Sequence, residues 1–405
     1  MKIALAQLNS TIGDITNNAQ QIIDAANSAA NQNARILLTP ELSLCGYPPR
    51  DLLLYPGFIE LMDKKIKAIA AKIPDNIAVL VGTVETNPHA HSKGQKPLYN
   101  SMALIDGGEI KQIFHKRLLP TYDVFDEDRY FEPGYEANHF TLDNLKIGVS
   151  ICEDLWNDEQ FWGKRSYEVN PIEELAQLGV DVIVNLSASP YSVGKHKLRE
   201  AMLHHAATSY SKPIIYVNQV GGNDDLIFDG NSVVFNSAGE IVDRAKGFDR
   251  DLVVVELEEL EENRDRLRSP LATLNQGGID SNEEIYNALV LGVKDYARKC
   301  GFTKAILGLS GGIDSALVAA IASEALGAEN VLGVLMPSPY SSDHSISDAV
   351  DLVNNLGMKS QQLAIKDAME AYDTILDPMF AGTEFGIAEE NIQSRIRGNL
   401  LMAIA

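Results

Sequence analysis

Short apolar runs alternate with amphipathic stretches from the first residue. Period-two or unbroken apolar segments predict strands at KIALAQL (2–8), RILLTP (35–40), IAVLVGT (77–83), NSMALID (100–106) and KIGVSIC (146–152). Further strands are predicted at VDVIVNLS (180–187), PIIYVNQV (213–220), NSVVFN (231–236) and LVVVEL (252–257). Helical spacing falls over 17–30, 58–72, 171–178 and 196–210. The order is β-α-β-α-β, then a mostly β stretch, then β-α-β again. That order predicts a sheet covered by helices with antiparallel hairpins mixed in, NSAGEIVDRA (236–245) being one of them.

The stretch 258–282 breaks the pattern, first charged and then loop-like around Pro270 and Gly277-Gly278. Beyond it, Ile285, Leu289, Val293, Tyr296 and Cys300 recur at helical spacing. Strand 304–309, helix 314–326, strand 331–336, helix 343–355 and strand 359–365 follow, the alternation of a doubly wound parallel sheet. A length of 405 residues favours two domains, and the expected division is 1–257, a linker at 258–282, and 283–405.

Composition narrows the function classes. The formal net charge of −22 repels polyphosphate backbones, which argues against a nucleic-acid partner. No stretch approaches the roughly 20 unbroken apolar residues of a membrane span, and MKIALAQLNSTIGD reads as a first strand rather than a signal peptide. The three cysteines, Cys45, Cys152 and Cys300, are too few and scattered for a disulfide framework or a zinc site, so a reducing cytoplasm is expected.

Cys152 ends an apolar strand in IGVSICEDLW, where a nucleophile can sit on a sharp turn with N–H groups free to face an oxyanion. A lone cysteine there is more often a small buried hydrophobe. Two other segments alter the balance: LLTPELSLCGYPPRDLL carries Glu41 just past a strand, and HKRLLPTYDVFDEDRYFEPG carries Lys116 and Glu127. Together the three segments resemble the carbon–nitrogen hydrolase (nitrilase) superfamily over roughly residues 1–260. The resemblance implies an α-β-β-α sandwich with Glu41, Lys116 and Cys152 as catalytic residues and Glu127 as a second glutamate. Chemically, Glu41 takes the thiol proton and later protonates leaving ammonia. Lys116 favours the thiolate and helps hold the oxyanion, while Glu127 positions Lys116 or the substrate amine. His115 offers a Cys–His reading, but on a strand it points away from Lys116. Within the superfamily, PELSLCGYPPRDLL and NLSASPYSVGK look like the glutaminase domains of glutamine-dependent NAD(+) synthetases, which implies that Tyr122, Ser189 and Lys195 line a glutamine pocket.

GLSGGIDSAL (308–317) fits neither the dinucleotide fingerprint nor the Walker loop. It supplies a strand, a Ser310-Gly311-Gly312 turn, and Asp314 and Ser315 opening a helix, whose N-terminal N–H groups suit an anion. Ser310 and Ser315 add hydroxyl donors, and Asp314 calls for a bridging Mg2+. SGGxDS resembles the pyrophosphate loop of the N-type ATP pyrophosphatases (adenine nucleotide alpha hydrolase-like), which implies ATP binding by Gly308, Leu309, Ser310, Gly311, Gly312, Ile313, Asp314 and Ser315. EENIQSRIRGNLLMAI (389–404) looks like the segment near the deamido-NAD(+) site, with Asn391 the position implied and Arg395 or Arg397 in support.

The combination implies a ligase that activates deamido-NAD(+) with ATP and Mg2+ and amidates it with ammonia from glutamine. Because free ammonia is protonated and diluted in water, a closed passage between the sites is expected. Members of the family continue beyond residue 405, so complete glutaminase chemistry and an incomplete synthetase are expected of these residues. Homo-oligomerisation is expected as well. The rival readings are a stand-alone amidase with a nucleotide-sensing module, or a C-terminal part that serves only binding or assembly.

Overall fold

The apolar runs of the N-terminal part fold as strands. In chain order they are β1 (Lys2–Gln7), β2 (Ala34–Leu38), β3 (Ala78–Thr86), β4 (Leu98–Asp106), β5 (Glu109–His115), β6 (His139–Leu142) and β7 (Leu145–Ile151). Then come β8 (Val182–Ser187), β9 (Ile214–Asn218), β10 (Val220–Asn223), β11 (Leu226–Asp229), β12 (Val233–Phe235), β13 (Ile241–Arg244) and β14 (Asp251–Glu256). Two mixed six-stranded sheets result, ordered β14-β1-β2-β3-β4-β5 and β13-β12-β9-β8-β7-β6. The computed structural model describes residues 1–260, 281–380 and 386–405. Most of the linker expected at 258–282 therefore lies outside the described residues. The chain forms two compact units, Met1–Ala288 and Leu289–Ala405.

Strand alternation builds the first unit in four layers. Ile3, Leu5, Ile36 and Leu38 face inward and pack with Ile147, Val149, Val184 and Val217 of the second sheet. The intervening Ala4 and Ala6 face outward and meet Ile15, Ala19, Ile22 and Ile66 of the helices Ile15–Asn31 and Pro56–Ala70. On the outer side of the second sheet, Ile183 and Tyr216 pack with the helices Pro171–Gln177 and Lys195–Tyr210 through Leu175, Met202 and Leu203. An α-β-β-α sandwich is the result, each fully buried Leu or Ile contributing about 1.5–3 kcal/mol.

The expected 236–245 hairpin is the β12–β13 pair. PIIYVNQV, in contrast, is not one strand. It breaks at Gln219, whose N–H donates to the Ser187 carbonyl at 3.0 Å, and β10 leaves to pair with β11 in a separate ribbon. The edge strands β5 and β6 escape the pattern because half of EIKQIFH faces solvent and β6 is four residues long.

In the second unit β15 (Ala305–Leu309), β16 (Val331–Leu335) and β17 (Lys359–Gln362) are parallel neighbours in that order. Helices Ile313–Leu326 and Asp343–Leu356 cover one face through Ala319, Ala322, Ala349 and Val353. Met369 and Ile396, from the helices Lys366–Phe380 and Ile387–Ile404, pack on Val334 and Met336 in a second cluster. β17 stops at Gln362, short of the expected 365, because the chain turns there into the next helix.

Gly82 of β3 shows how closely the first sheet holds the turn bearing Glu41. A methyl group there would lie 2.3 Å from the Pro40 carbonyl oxygen and 2.4 Å from the Leu42 nitrogen, both backbone atoms that cannot swing away. Gly82→Ala is expected to destabilise the protein by about 1–3 kcal/mol, read as a lowered thermal midpoint. Gly57→Ala, at a position with open space around it, should leave the midpoint unchanged or higher. Equal midpoints for the two variants would show that the turn is not packed on β3.

Candidate active site

The C-terminal ends of β2, β5 and β7 deliver Glu41, Lys116 and Cys152 to one edge of the sandwich. Lys116 is fully buried, as is Glu41, and Glu127 is 5% exposed. The Lys116 ammonium donates to Glu41 Oε1 at 2.7 Å and to both Glu127 oxygens at 2.8 Å, so all three of its hydrogens are used. Asn100 Nδ2, at the start of β4, donates to Glu41 Oε1 at 2.7 Å and to Glu127 Oε2 at 3.4 Å. Tyr47 donates its hydroxyl to Glu127 Oε1 at 2.8 Å, and the Ala188 N–H donates to Glu41 Oε2 at 3.1 Å. Such a saturated network is what makes a buried ion cluster tolerable, since an unpaired buried charge costs several kcal/mol.

Cys152 opens a short 3-10 turn, Cys152–Leu155, directly after β7, with its φ at +44° in the left-handed region. A non-glycine residue there carries about 1–2 kcal/mol of strain and reverses the chain sharply. Cys152 is 4% exposed. Burial and then the charge of Glu41 push it well above the ordinary cysteine value, against the opposing pull of Lys116. Burial and the Glu41 charge thus favour the neutral thiol at rest. Burial lowers the Lys116 ammonium, but Glu127 and Glu41 outweigh it and hold the group well above the usual lysine range. Burial lifts Glu127 to about 7 in spite of Lys116.

Beside this cluster lies a second. Glu153 accepts the hydroxyl of Tyr122 at 2.9 Å and that of Tyr167 at 3.0 Å. Lys195, half-buried at the start of its helix, lies 5.6 Å over the Trp156 ring and 5.9 Å over that of Phe125, and burial lowers its ammonium. Ser189 is buried, its backbone held by the Asn218 side chain at 2.9 Å and 3.4 Å. His115 is engaged elsewhere: it stacks on Tyr99 with ring centroids 4.0 Å apart and bonds Glu85 at 2.5 Å.

In the second unit the Ser310-Gly311-Gly312 turn joins β15 to its helix. Gly311 has φ +79°, and a methyl group there would lie 2.3 Å from the Ser345 carbonyl oxygen, so the turn needs glycine. Ser315 Oγ donates to the Gly312 carbonyl at 2.9 Å and lies 3.1 Å from Ser310 Oγ. The Ser310 and Gly312 N–H groups in turn donate to the Ser315 and Ser310 hydroxyls at 3.3 Å and 3.2 Å, so hydroxyls and N–H groups brace one another within the loop. The loop separates two cavities. One, of ≈ 540 Å³, is lined by Gly308, Leu309, Ser310, Met336, Ser345 and Arg397; the other by Gly311, Gly312 and Ile313 among others. Asp314 is exposed in the first turn of the helix, and Ser315 is half-buried. Asn391 is exposed, with its carbonyl accepting from Arg395 Nη1 at 3.4 Å, and it does not line the larger cavity. Arg397 does. Among the described residues no group of three or more His, Cys, Asp or Glu could hold a metal, and no helix is long and apolar enough to cross a membrane.

Sequence reasoning missed Tyr47, Asn100, Glu153 and Tyr167. Asn100 had a faint signal, a polar residue opening an apolar strand. Tyr167 had none, because it reaches the site through a loop.

The carbon-nitrogen hydrolase family model matches residues 2–263 and the NAD synthase model residues 285–405. A glutamine-dependent NAD(+) synthetase of Synechocystis sp. is 59% identical over 100% of this chain and 71% of that protein. One from Thermotoga maritima is 40% identical over 100% of this chain and 72% of its own. The structure of a glutamine-dependent NAD+ synthetase from Acinetobacter baumannii in complex with ADP superposes with a TM-score of 0.86 at 38% identity, covering 100% of this chain and 72% of that one. A Nesterenkonia amidase of the nitrilase superfamily shares the fold of the first unit, with a TM-score of 0.53 at 24% identity over 65% of this chain and 94% of that one.

Glu127 provides a pH signature. Its folded-state value, about 7, lies above the ordinary 4.5. The bound proton therefore stabilises the fold fully below the ordinary value, and that stabilisation is lost as pH rises through about 7. Urea unfolding of the protein and of Glu127→Gln across this window is expected to show the native protein losing stability relative to the variant as pH rises. A constant difference would overturn the assignment.

Proposed function

The chain belongs to the glutamine-dependent NAD(+) synthetase family, and on that premise we propose that its first unit hydrolyses glutamine and its second uses the ammonia to amidate deamido-NAD(+). The observation that carries the reading is Lys116 bonded to Glu41 and Glu127 beside the strained Cys152 turn, in a chain that also holds the Ser310-Gly311-Gly312 loop. The rival reading of a stand-alone amidase is not favoured, because the relatives match across both units.

Glutamine enters with its α-amino and α-carboxylate groups held by Tyr122, Ser189 and Lys195. Cys152 Sγ attacks the side-chain amide carbon while Glu41 takes the thiol proton, which suits a resting thiol better than a preformed thiolate would. The oxyanion forms beside the Lys116 ammonium, whose charge is fixed before reaction and needs no reorganisation. Glu127 holds that ammonium in place. As the C–N bond breaks, Glu41 returns its proton to the departing ammonia, leaving a thioester on Cys152. Glu41 then accepts a proton from water as the water attacks the thioester, and glutamate leaves with the thiol restored.

In the second unit the Ser310-Gly311-Gly312 turn and the helix N-terminus suit the phosphates of ATP, with the Ser310 and Ser315 hydroxyls beside them. One exposed carboxylate fits a Mg2+ carried mainly by phosphates and water, and Asp314 would hold it. Bound there, the ion would neutralise phosphate charge. The deamido-NAD(+) carboxylate displaces pyrophosphate to give an acyl-adenylate. Ammonia then attacks the acyl carbon, AMP leaves, and NAD(+) forms. Asn391 is the position proposed to contact deamido-NAD(+). A cytoplasmic, homo-oligomeric enzyme completes the proposal, with its three free cysteines fitting a reducing compartment.

In the intact enzyme, Cys152→Ala is expected to abolish glutamine hydrolysis and glutamine-driven NAD(+) formation while sparing formation driven by ammonium, both followed by product chromatography. Retained glutamine hydrolysis, or loss of the ammonium-driven reaction, would contradict the two-site reading.

A further inference from the structure

Asp154 lies two residues beyond Cys152 and is 1% exposed. Its Oδ2 accepts the N–H of Ile151 at 3.0 Å, just before the nucleophile. Its Oδ1 accepts the N–H groups of Arg117 at 3.0 Å and Leu118 at 2.9 Å, just after Lys116. One carboxylate thus joins the segments carrying two of the reacting groups, which are otherwise far apart in sequence. Lys116 itself is fixed from the other side: its N–H donates to the Asn100 carbonyl at 2.8 Å, and its carbonyl accepts from Gly134 at 2.7 Å. The Cys152 turn, strained at φ +44°, has a comparable tie in Asn185 Nδ2, 3.4 Å from the Cys152 carbonyl.

We propose that Asp154 is a positioning residue for the glutaminase reaction: its carboxylate staples the Cys152 turn to the segment after Lys116 and so fixes the sulfur against the ammonium. The assignment rests on the proposed roles of Cys152, Glu41 and Lys116. Chemistry explains why a carboxylate stands here. All three partners are backbone N–H groups, and only a group that accepts through both oxygens satisfies them. An asparagine of the same shape keeps one accepting oxygen and turns an NH2 toward a donor. If its oxygen faces Arg117 and Leu118, the Ile151 N–H is opposed and the turn is released, while neighbouring packing stays intact. Burial raises the Asp154 carboxyl, and the backbone donors of Ile151 and Leu118 hold the rise to about 6, so it is ionised at neutral pH.

The test is steady-state glutamine hydrolysis by the full chain, the Cys152→Ala control and Asp154→Asn, with the thermal midpoint of each. Displacement of a reacting atom by about 1 Å costs on the order of a hundredfold. Asp154→Asn is therefore expected to lower kcat about ten- to a hundredfold with a smaller rise in KM for glutamine, because Ser189 and Lys195 lie outside the stapled turn and only Tyr122 is tied to it, through Glu153. Should Asp154→Asn fail to fold, Asp154→Glu, which keeps both oxygens on a longer arm, carries the same test. An unchanged kcat overturns the proposal. So does a loss of activity that only tracks the folded fraction, or one confined to KM. Hydrolysis surviving in Cys152→Ala would instead overturn the glutaminase reading on which the proposal rests.

Discussion

A lysine ammonium with no exposure to water must find its counter-charges inside the protein, and that requirement organises the first unit. Lys116 has three hydrogens and spends all of them on Glu41 and Glu127. Those two carboxylates come from turns far apart in sequence, so the sheet must hold both turns in register for the charges to balance. Asn100 bridges the carboxylates, Tyr47 closes the Glu127 side and the Ala188 N–H closes the Glu41 side. Removing any one partner leaves a buried charge undercompensated, at a cost larger than most packing defects. Stability and chemistry therefore depend on the same few side chains.

This cluster also decides how the nucleophile works. A cysteine paired with a histidine can rest as a thiolate in a polar cleft. Cys152 instead sits buried in the field of Glu41, and both influences favour the neutral thiol. The lysine is already engaged by carboxylates, which limits what it does for the sulfur at rest. Its charge counts most once the thiol proton has moved to Glu41 and negative charge appears on the substrate oxygen. Proton transfer and attack are thereby coupled, and a nucleophile that rests as a thiol is less open to adventitious oxidation and alkylation.

The parts legible in the sequence were those written locally. Nearly unbroken apolar runs located most central strands, because both faces of these sheets are buried and tolerate few polar residues. The Ser310-Gly311-Gly312 turn announced itself by its glycines, and three strand-end segments carried the nitrilase resemblance. What escaped was set by contacts between distant segments. β5 and β6 lie at sheet edges, where alternation fades into solvent-facing residues. Gln219 breaks an apolar run through a bond to Ser187, 32 positions earlier in the chain. Glu153 and Asp154 were visible beside Cys152, but nothing local separates the carboxylate that meets Tyr122 and Tyr167 from the one that binds backbone N–H groups.

The most direct test of the claim that Cys152 rests as a thiol is the ultraviolet absorbance of the thiolate, taken as the difference between the protein and Cys152→Ala while pH is raised. The other two cysteines cancel in that difference. A buried thiol facing Glu41 predicts no Cys152-dependent thiolate signal at neutral pH, with the signal appearing only well above the range of an exposed cysteine. A full thiolate signal already present at neutral pH would contradict it.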